Sequence, residues 1–141
     1  MDSPFKAISI LYRKSHIWLN NSCAQYGLTA AQAMVILIIC DFQSLTQDEI
    51  TKRLGLDKSV IAKTVTKLEE TGFLVRTTNP KDKRTYDIQP TQRARAAYPS
   101  VREQLDVCFQ RMTLAMSKEQ RATFQELLLL AAKTTIEQED L

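Results

Sequence analysis

Residues Leu45–Gln89 read LTQDEITKRLGLDKSVIAKTVTKLEETGFLVRTTNPKDKRTYDIQ, and the fold turns on how this stretch divides. Thr46 and Glu49 have capping-box spacing, in which each side chain satisfies the other residue's free backbone donor. A helix is therefore predicted to start at Leu45-Thr46. Ile50 and Leu54 lie four residues apart on its inner side. Gly55 ends it in the left-handed conformation, and Leu56 packs the turn. Asp57 is read as the cap of a second helix, Lys58 to Thr71, which stops at Gly72. Phe73–Thr78 and Thr85–Gln89 are β-rich runs. Between them, Asn79-Pro80-Lys81-Asp82-Lys83-Arg84 is turn chemistry loaded with charge.

Two short helices joined by a tight turn, then a hairpin with a basic tip, define an expected winged helix-turn-helix. That device sets one helix in the DNA major groove and a hairpin against the minor groove. At 100° per residue, Ile61, Val65 and Leu68 of the second helix point to the core. Ser59, Lys63 and Thr66 fall opposite, flanked by Ala62 and Lys67, with Glu70 at the far end. Hydroxyls and ammonium groups suit base edges and phosphates, and a small residue suits close approach; an ordinary solvated helix face would look much the same. In the hairpin tip, Arg84 is read as the side chain inserted into the minor groove and Asp82 as the carboxylate that orients it. A mobile charged loop is the other reading. From Lys58 to Arg84 seven cations face three anions, a net +4, against +3 for the whole chain. Such clustering is the footprint of a phosphate-binding surface.

The flanks read as helix. Pro4–Cys23 carries Phe5, Ile8, Leu11, Tyr12, Leu19 and Cys23 at three- and four-residue steps. Trp18 on this helix reads as a core or dimer anchor ahead of a ligand contact. Thr29 caps a helix from Ala30 to Asp41, and Ala33–Cys40 has no polar residue. A helix apolar on every side is expected to be the buried central post, with Cys40 an inert core thiol. Thr91 caps a long helix to about Ala115, which Pro99 is expected to bend. Ser117 and Gln120 form another capping box before a last helix from Lys118 to about Gln138. There, Leu127–Ala132 is apolar over more than one face: one face is expected to pack on the domain and the other on a partner.

With 141 residues, 44% apolar, three glycines and four prolines, the chain is read as one domain, 1–141, without long linkers. No signal peptide and no membrane span are expected, and the compartment expected is the cytoplasm. Cys23, Cys40 and Cys108 show no CxxC spacing, so neither a disulfide framework nor a metal site is expected. One histidine, His16, no glycine-rich phosphate loop and no nucleophile–base set leave catalysis and bound cofactors without a basis. A winged-helix protein-interaction module that never binds DNA is the alternative. The cationic cluster argues against it, since protein interfaces deplete lysine at their centre.

The chain resembles the MarR family of bacterial winged-helix transcription factors over essentially its whole length. The resemblance rests on Leu28-Thr29, Leu45-Thr46-Gln47-Asp48-Glu49-Ile50, Leu54-Gly55-Leu56-Asp57-Lys58-Ser59 and Leu68-Glu69-Glu70-Thr71-Gly72-Phe73-Leu74. Its most specific piece is Pro80-Lys81-Asp82-Lys83-Arg84, which looks like the family's Asp-x-Arg wing signature. The resemblance implies a mainly α fold with a small β-hairpin wing. It implies a winged lobe at 28–90, dimerisation helices at 1–27 and 91–141, and a homodimer on a pseudo-palindromic operator in double-stranded DNA. DNA contacts are expected from Lys58, Ser59, Ala62, Lys63, Thr66, Lys67, Lys81, Asp82, Lys83 and Arg84. The form of regulation implied is a repressor released by a small phenolic or other aromatic effector or, in some branches, by thiol oxidation. Tyr12, His16, Trp18 and Met34 are the candidate lining where the first, second and long helices meet. Ala62 and Lys63 stand where members often carry Thr and Arg, so the bidentate guanine contact of an arginine is not expected. Pro90 and Ala94 replace the usual Leu and Gly at the long helix, and Cys23 does not match the peroxide-sensing position.

Overall fold

A computed structural model describes residues 2–138. In chain order the elements are α1 (Pro4–Cys23), a 3-10 turn (Ala24–Tyr26), α2 (Ala30–Phe42), β1 (Leu45–Thr46), α3 (Gln47–Leu54) and α4 (Lys58–Glu70). There follow β2 (Leu74–Thr78), β3 (Tyr86–Pro90), α5 (Gln92–Met112) and α6 (Lys118–Glu137).

Local side-chain chemistry sets the helix starts. Reciprocal capping boxes join Thr29 with Gln32, Thr46 with Glu49, and Ser117 with Gln120. Gly55 ends α3 at φ 64°, a conformation that costs a residue with a Cβ. Asp57 departs from its expected role. Its backbone is extended as an N-cap requires, but its exposed carboxylate makes no capping bond. The first-turn N–H groups of α4 are left to solvent or to an anion. A direct prediction follows for the box that does form. Thr46→Ala should cost about 1 kcal/mol, read as a thermal midpoint lower by about 3–5 °C; an unchanged midpoint would remove the cap from the account.

α2 is the post on which the lobe is built. Ala33, Val35, Ile36 and Ile39 are fully buried, each larger side chain contributing on the order of 1.5–3 kcal/mol. Met34, Leu37 and Cys40 are only half-buried, so the helix is not sealed on every side. Cys40 sits at the margin of the core, contrary to expectation. α2 packs on α1, α4, α5 and β3.

The sheet has three antiparallel strands in the order β1-β3-β2. Ile88 is its buried centre, opposite Leu45 on one side and Arg76 on the other. Capping-box spacing alone assigns Leu45-Thr46 to a helix start, and the structure adds a strand there. Thr46 serves both elements, ending β1 and capping α3, and a two-residue strand is too short to show alternation.

The flanking helices reach beyond this core. In α1 only Leu19 and Cys23 are buried, while Phe5 is 78% exposed and Ile8 and Tyr12 are exposed. At about 1.5 Å per residue, α1 outruns the lobe, and its apolar stripe continues past the surface available to cover it. No described residue of α6 is buried. Leu127, Leu128, Leu129 and Leu130 are all exposed, which corrects the expectation that one face packs on the domain. α6 meets its own chain at Phe124, stacked on Phe109 with centroids 6.1 Å apart, and near its far end, where Ile136 lies beside Phe42 and Arg53.

Candidate nucleic-acid interface

α4 presents two faces, as the sequence requires. Ile61, Val65 and Leu68 are completely buried, and Thr64 joins them by turning its hydroxyl back on Val60 O at 2.7 Å. Outward stand Lys58, Ser59, Lys63, Thr66 and Lys67, all exposed, with Ala62 half-buried between them. α3 packs behind α4.

The wing tip is a folded turn held by side chains. Asn79 Oδ1 accepts from Lys81 N at 2.8 Å and Asp82 N at 3.1 Å, while Asn79 Nδ2 donates to Asp87 Oδ1 at 2.8 Å. Asp82 Oδ1 in turn accepts from Arg84 N at 3.0 Å and Arg84 Nε at 3.1 Å, and Oδ2 accepts from Nη2 at 3.3 Å. The Arg84 guanidinium and then its backbone N–H hold the Asp82 carboxyl below its ordinary range. Arg84 stays 89% exposed. Its charge is thus oriented without being buried, and Lys81 and Lys83 stand exposed beside it.

Several interactions that assemble the surface carry no local sequence signal. Arg76 on β2 lies with Nε 3.3 Å from Glu69 Oε2, out of line for a hydrogen bond from that nitrogen, and donates through Nη2 to Thr66 Oγ1 at 3.4 Å. It also lines a cleft with Arg84 and with Thr46 and Asp48 at the start of α3, so Arg76 links the wing to Thr66 on the outward face of α4. Arg93 donates to Thr71 O and covers the Phe73 ring at 4.4 Å, and Thr91 Oγ1 donates to Gly72 O at 2.6 Å. These bonds pin α5 to the turn after α4. A cation in a strand or helix announces its charge in sequence, but not its partner ten or twenty positions away.

The four candidate effector residues do not converge. A groove of about 230 Å³ runs between α1 and α5 and is lined by Ile10, Leu11, Trp18 and Met112 with the cations Lys14 and Arg111. Trp18 is in it. Tyr12 and His16 lie against each other with ring centroids 4.4 Å apart and planes tilted by 34°, more than about 100° around α1 from Trp18. Met34 lies on α2 and does not line the groove.

All three cysteines are unpaired, and burial pushes each thiol above its ordinary pKa. Arg95 opposes this at Cys40 and Arg111 at Cys108, without overcoming it. A raised pKa leaves less thiolate at neutral pH than a free cysteine has. Alkylation of the folded protein, followed by mass spectrometry, should be at least about tenfold slower than in denaturant. Rapid modification of half-buried Cys40 would contradict this.

Among the described residues no His, Cys, Asp and Glu cluster could hold a metal ion, and no single helix is long and apolar enough to cross a membrane.

A braced helix with a cationic outward face, followed by a wing carrying an oriented arginine, defines the winged helix-turn-helix class. A MarR family profile matches residues 26–85. An uncharacterized HTH-type transcriptional regulator of Bacillus subtilis is 20% identical over 128 residues, covering 91% of this chain and 85% of its own length. One from Bacillus cereus is 33% identical over 78 residues, and the chain spans about half of it, 51%. A crystal structure of MarR is 26% identical with a TM-score of 0.85, covering 96% of this chain and 92% of that one. A MarR family regulator from Listeria monocytogenes complexed with a 26mer DNA is 16% identical with a TM-score of 0.88, covering 97% and 91%. Over residues 26–85, a little under half of its length, the chain is similar to the MarR family.

Proposed function

We propose that this protein is a sequence-specific DNA-binding regulator that acts as a homodimer on a pseudo-palindromic operator, where its occupancy represses transcription. The observation that carries the reading is the linking of two cationic devices. The outward face of α4 bears Lys58, Lys63 and Lys67 with the hydroxyls of Ser59 and Thr66, and Arg76, bonded to Thr66, joins it to the wing that holds Arg84 on Asp82. α4 enters the major groove, and Lys81, Lys83 and Arg84 engage the flanking phosphates and minor groove. Ala62 lets the helix approach closely. The DNA-bound Listeria relative, alike in fold, supports this placement.

The exposed leucines of α6 and the apolar stripe of α1 form the dimer surface. The regulatory ligand is a small aromatic acid seated in the α1–α5 groove, its ring on Trp18 and its carboxylate toward Lys14 and Arg111. The site of action is the cytoplasm.

Selection of genomic DNA fragments by the purified protein tests the reading. It should recover paired half-sites about one helical turn, 10–10.5 base pairs, apart. Recovery of unrelated fragments only would refute it.

A further inference from the structure

The hydroxyl of Thr66, on the outward face of α4, is already engaged from one side. It accepts from Arg76 Nη2 at 3.4 Å. A guanidinium only donates, so this bond occupies one of the two oxygen lone pairs and turns the hydroxyl hydrogen away from Arg76. Threonines inside helices commonly turn that hydrogen onto the carbonyl one turn earlier. Thr51, Thr64, Thr134 and Thr135 all do so here, at 3.0, 2.7, 2.9 and 2.8 Å. Thr66 makes no such bond among the described residues. Arg76 is itself constrained. Its side chain is 28% exposed, Glu69 lies beside it on α4, and its backbone sits in the sheet opposite Ile88.

We propose that Arg76 is a positioning residue for sequence reading: it fixes Thr66 as an acceptor toward the protein and therefore as a donor toward DNA. The base facing Thr66 must then present an acceptor in the major groove, N7 or O6 of guanine, N7 of adenine or O4 of thymine, and cytosine, which offers there only its N4 donor, is rejected. A free hydroxyl would rotate to suit either a donor or an acceptor and would discriminate less. Arg76 thus shapes specificity from behind the reading helix, without touching a base. The inference rests on the DNA-reading assignment above.

The probe is the tightest duplex recovered from a random-sequence library by the full chain. Each base pair of one half-site is replaced in turn, and affinities are measured by fluorescence anisotropy for the parent and for variants. The parent should discriminate by about tenfold at the base pair under Thr66. Thr66→Val and Arg76→Met should reduce this to within about threefold, leaving discrimination at the other positions and the salt dependence in place. Thr66→Ser keeps the hydroxyl and should retain the full ratio. Should Arg76→Met fail to fold, Arg76→Gln keeps a polar side chain beside Glu69 that can either donate or accept and should show the same loss. Full discrimination in Thr66→Val, or in the folded Arg76 variant, overturns the inference while leaving the regulator reading intact. A parent that prefers no duplex over random DNA overturns the DNA-reading assignment, and this inference with it.

Discussion

Replacing Leu127 and Leu130 together by glutamate should yield a folded monomer that binds its operator at least about a hundredfold more weakly than the parent. The two leucines stand three residues apart on one side of α6, 56% and 58% exposed. Their removal takes nothing from the core of the single chain, so helical content should hold by circular dichroism. Across a twofold axis the two changes become four. Each leucine withdrawn from an apolar interface forfeits on the order of 1.5–3 kcal/mol, and four glutamates brought face to face repel. A monomer then engages one half-site at a time. Joining two half-site readers in one molecule is worth roughly 10²–10⁴ in affinity, and that factor is what dissociation removes. Sedimentation and gel-shift titration at one protein concentration check both halves of the expectation. A variant that remains a dimer would move the interface elsewhere.

The second large effect belongs to the reader. A Lys63→Ala, Arg84→Ala double variant should lose DNA affinity by about two orders of magnitude near 0.1 M salt, while its thermal midpoint stays near that of the parent. Both side chains are exposed, so folding does not depend on them. Each phosphate that the protein neutralises releases counterions, and the slope of log affinity against log salt becomes shallower by about 0.9 for each phosphate left unneutralised. Two such phosphates predict a slope shallower by about 1.8. An equal affinity, or an unchanged slope, would show that the outward face of α4 and the wing do not meet DNA. Lys63 on its own should contribute less base discrimination than an arginine, since an ammonium cannot make the bidentate guanine contact. In the proposed reading, specificity then rests more heavily on Arg84 in the minor groove and on Thr66.

What the sequence revealed, and what it concealed, follows the range of the interactions. Capping boxes at Thr46–Glu49 and Ser117–Gln120 were legible because both partners lie within one turn. The faces of α4 were legible from periodicity alone, and the Asp82–Arg84 pair because its members are two residues apart. β1 escaped notice because two residues carry no pattern and its partner Ile88 lies more than forty positions on. Arg76 read as one more cation of the cluster. Its work depends on β2 lying against α4, which brings it to Glu69 and Thr66. The candidate effector residues failed for a similar reason. Tyr12, His16 and Trp18 share a helix but not a face, and only the packing of α1 on α5 decides which face meets the groove. Asp57 had the right residue type and backbone for a cap, yet its carboxylate stays in solvent. Residue type alone does not settle whether a cap closes.

Hydroxyl-radical footprinting of the selected duplex tests the central claim, that α4 and the wing together form a dimeric DNA reader. The parent should protect two half-sites about 10 base pairs apart, with separate minor-groove protections outside them. Arg84→Ala should erase the outer protections and leave the inner ones. A uniform, register-free pattern with the parent, or outer protections that survive the loss of Arg84, would contradict it.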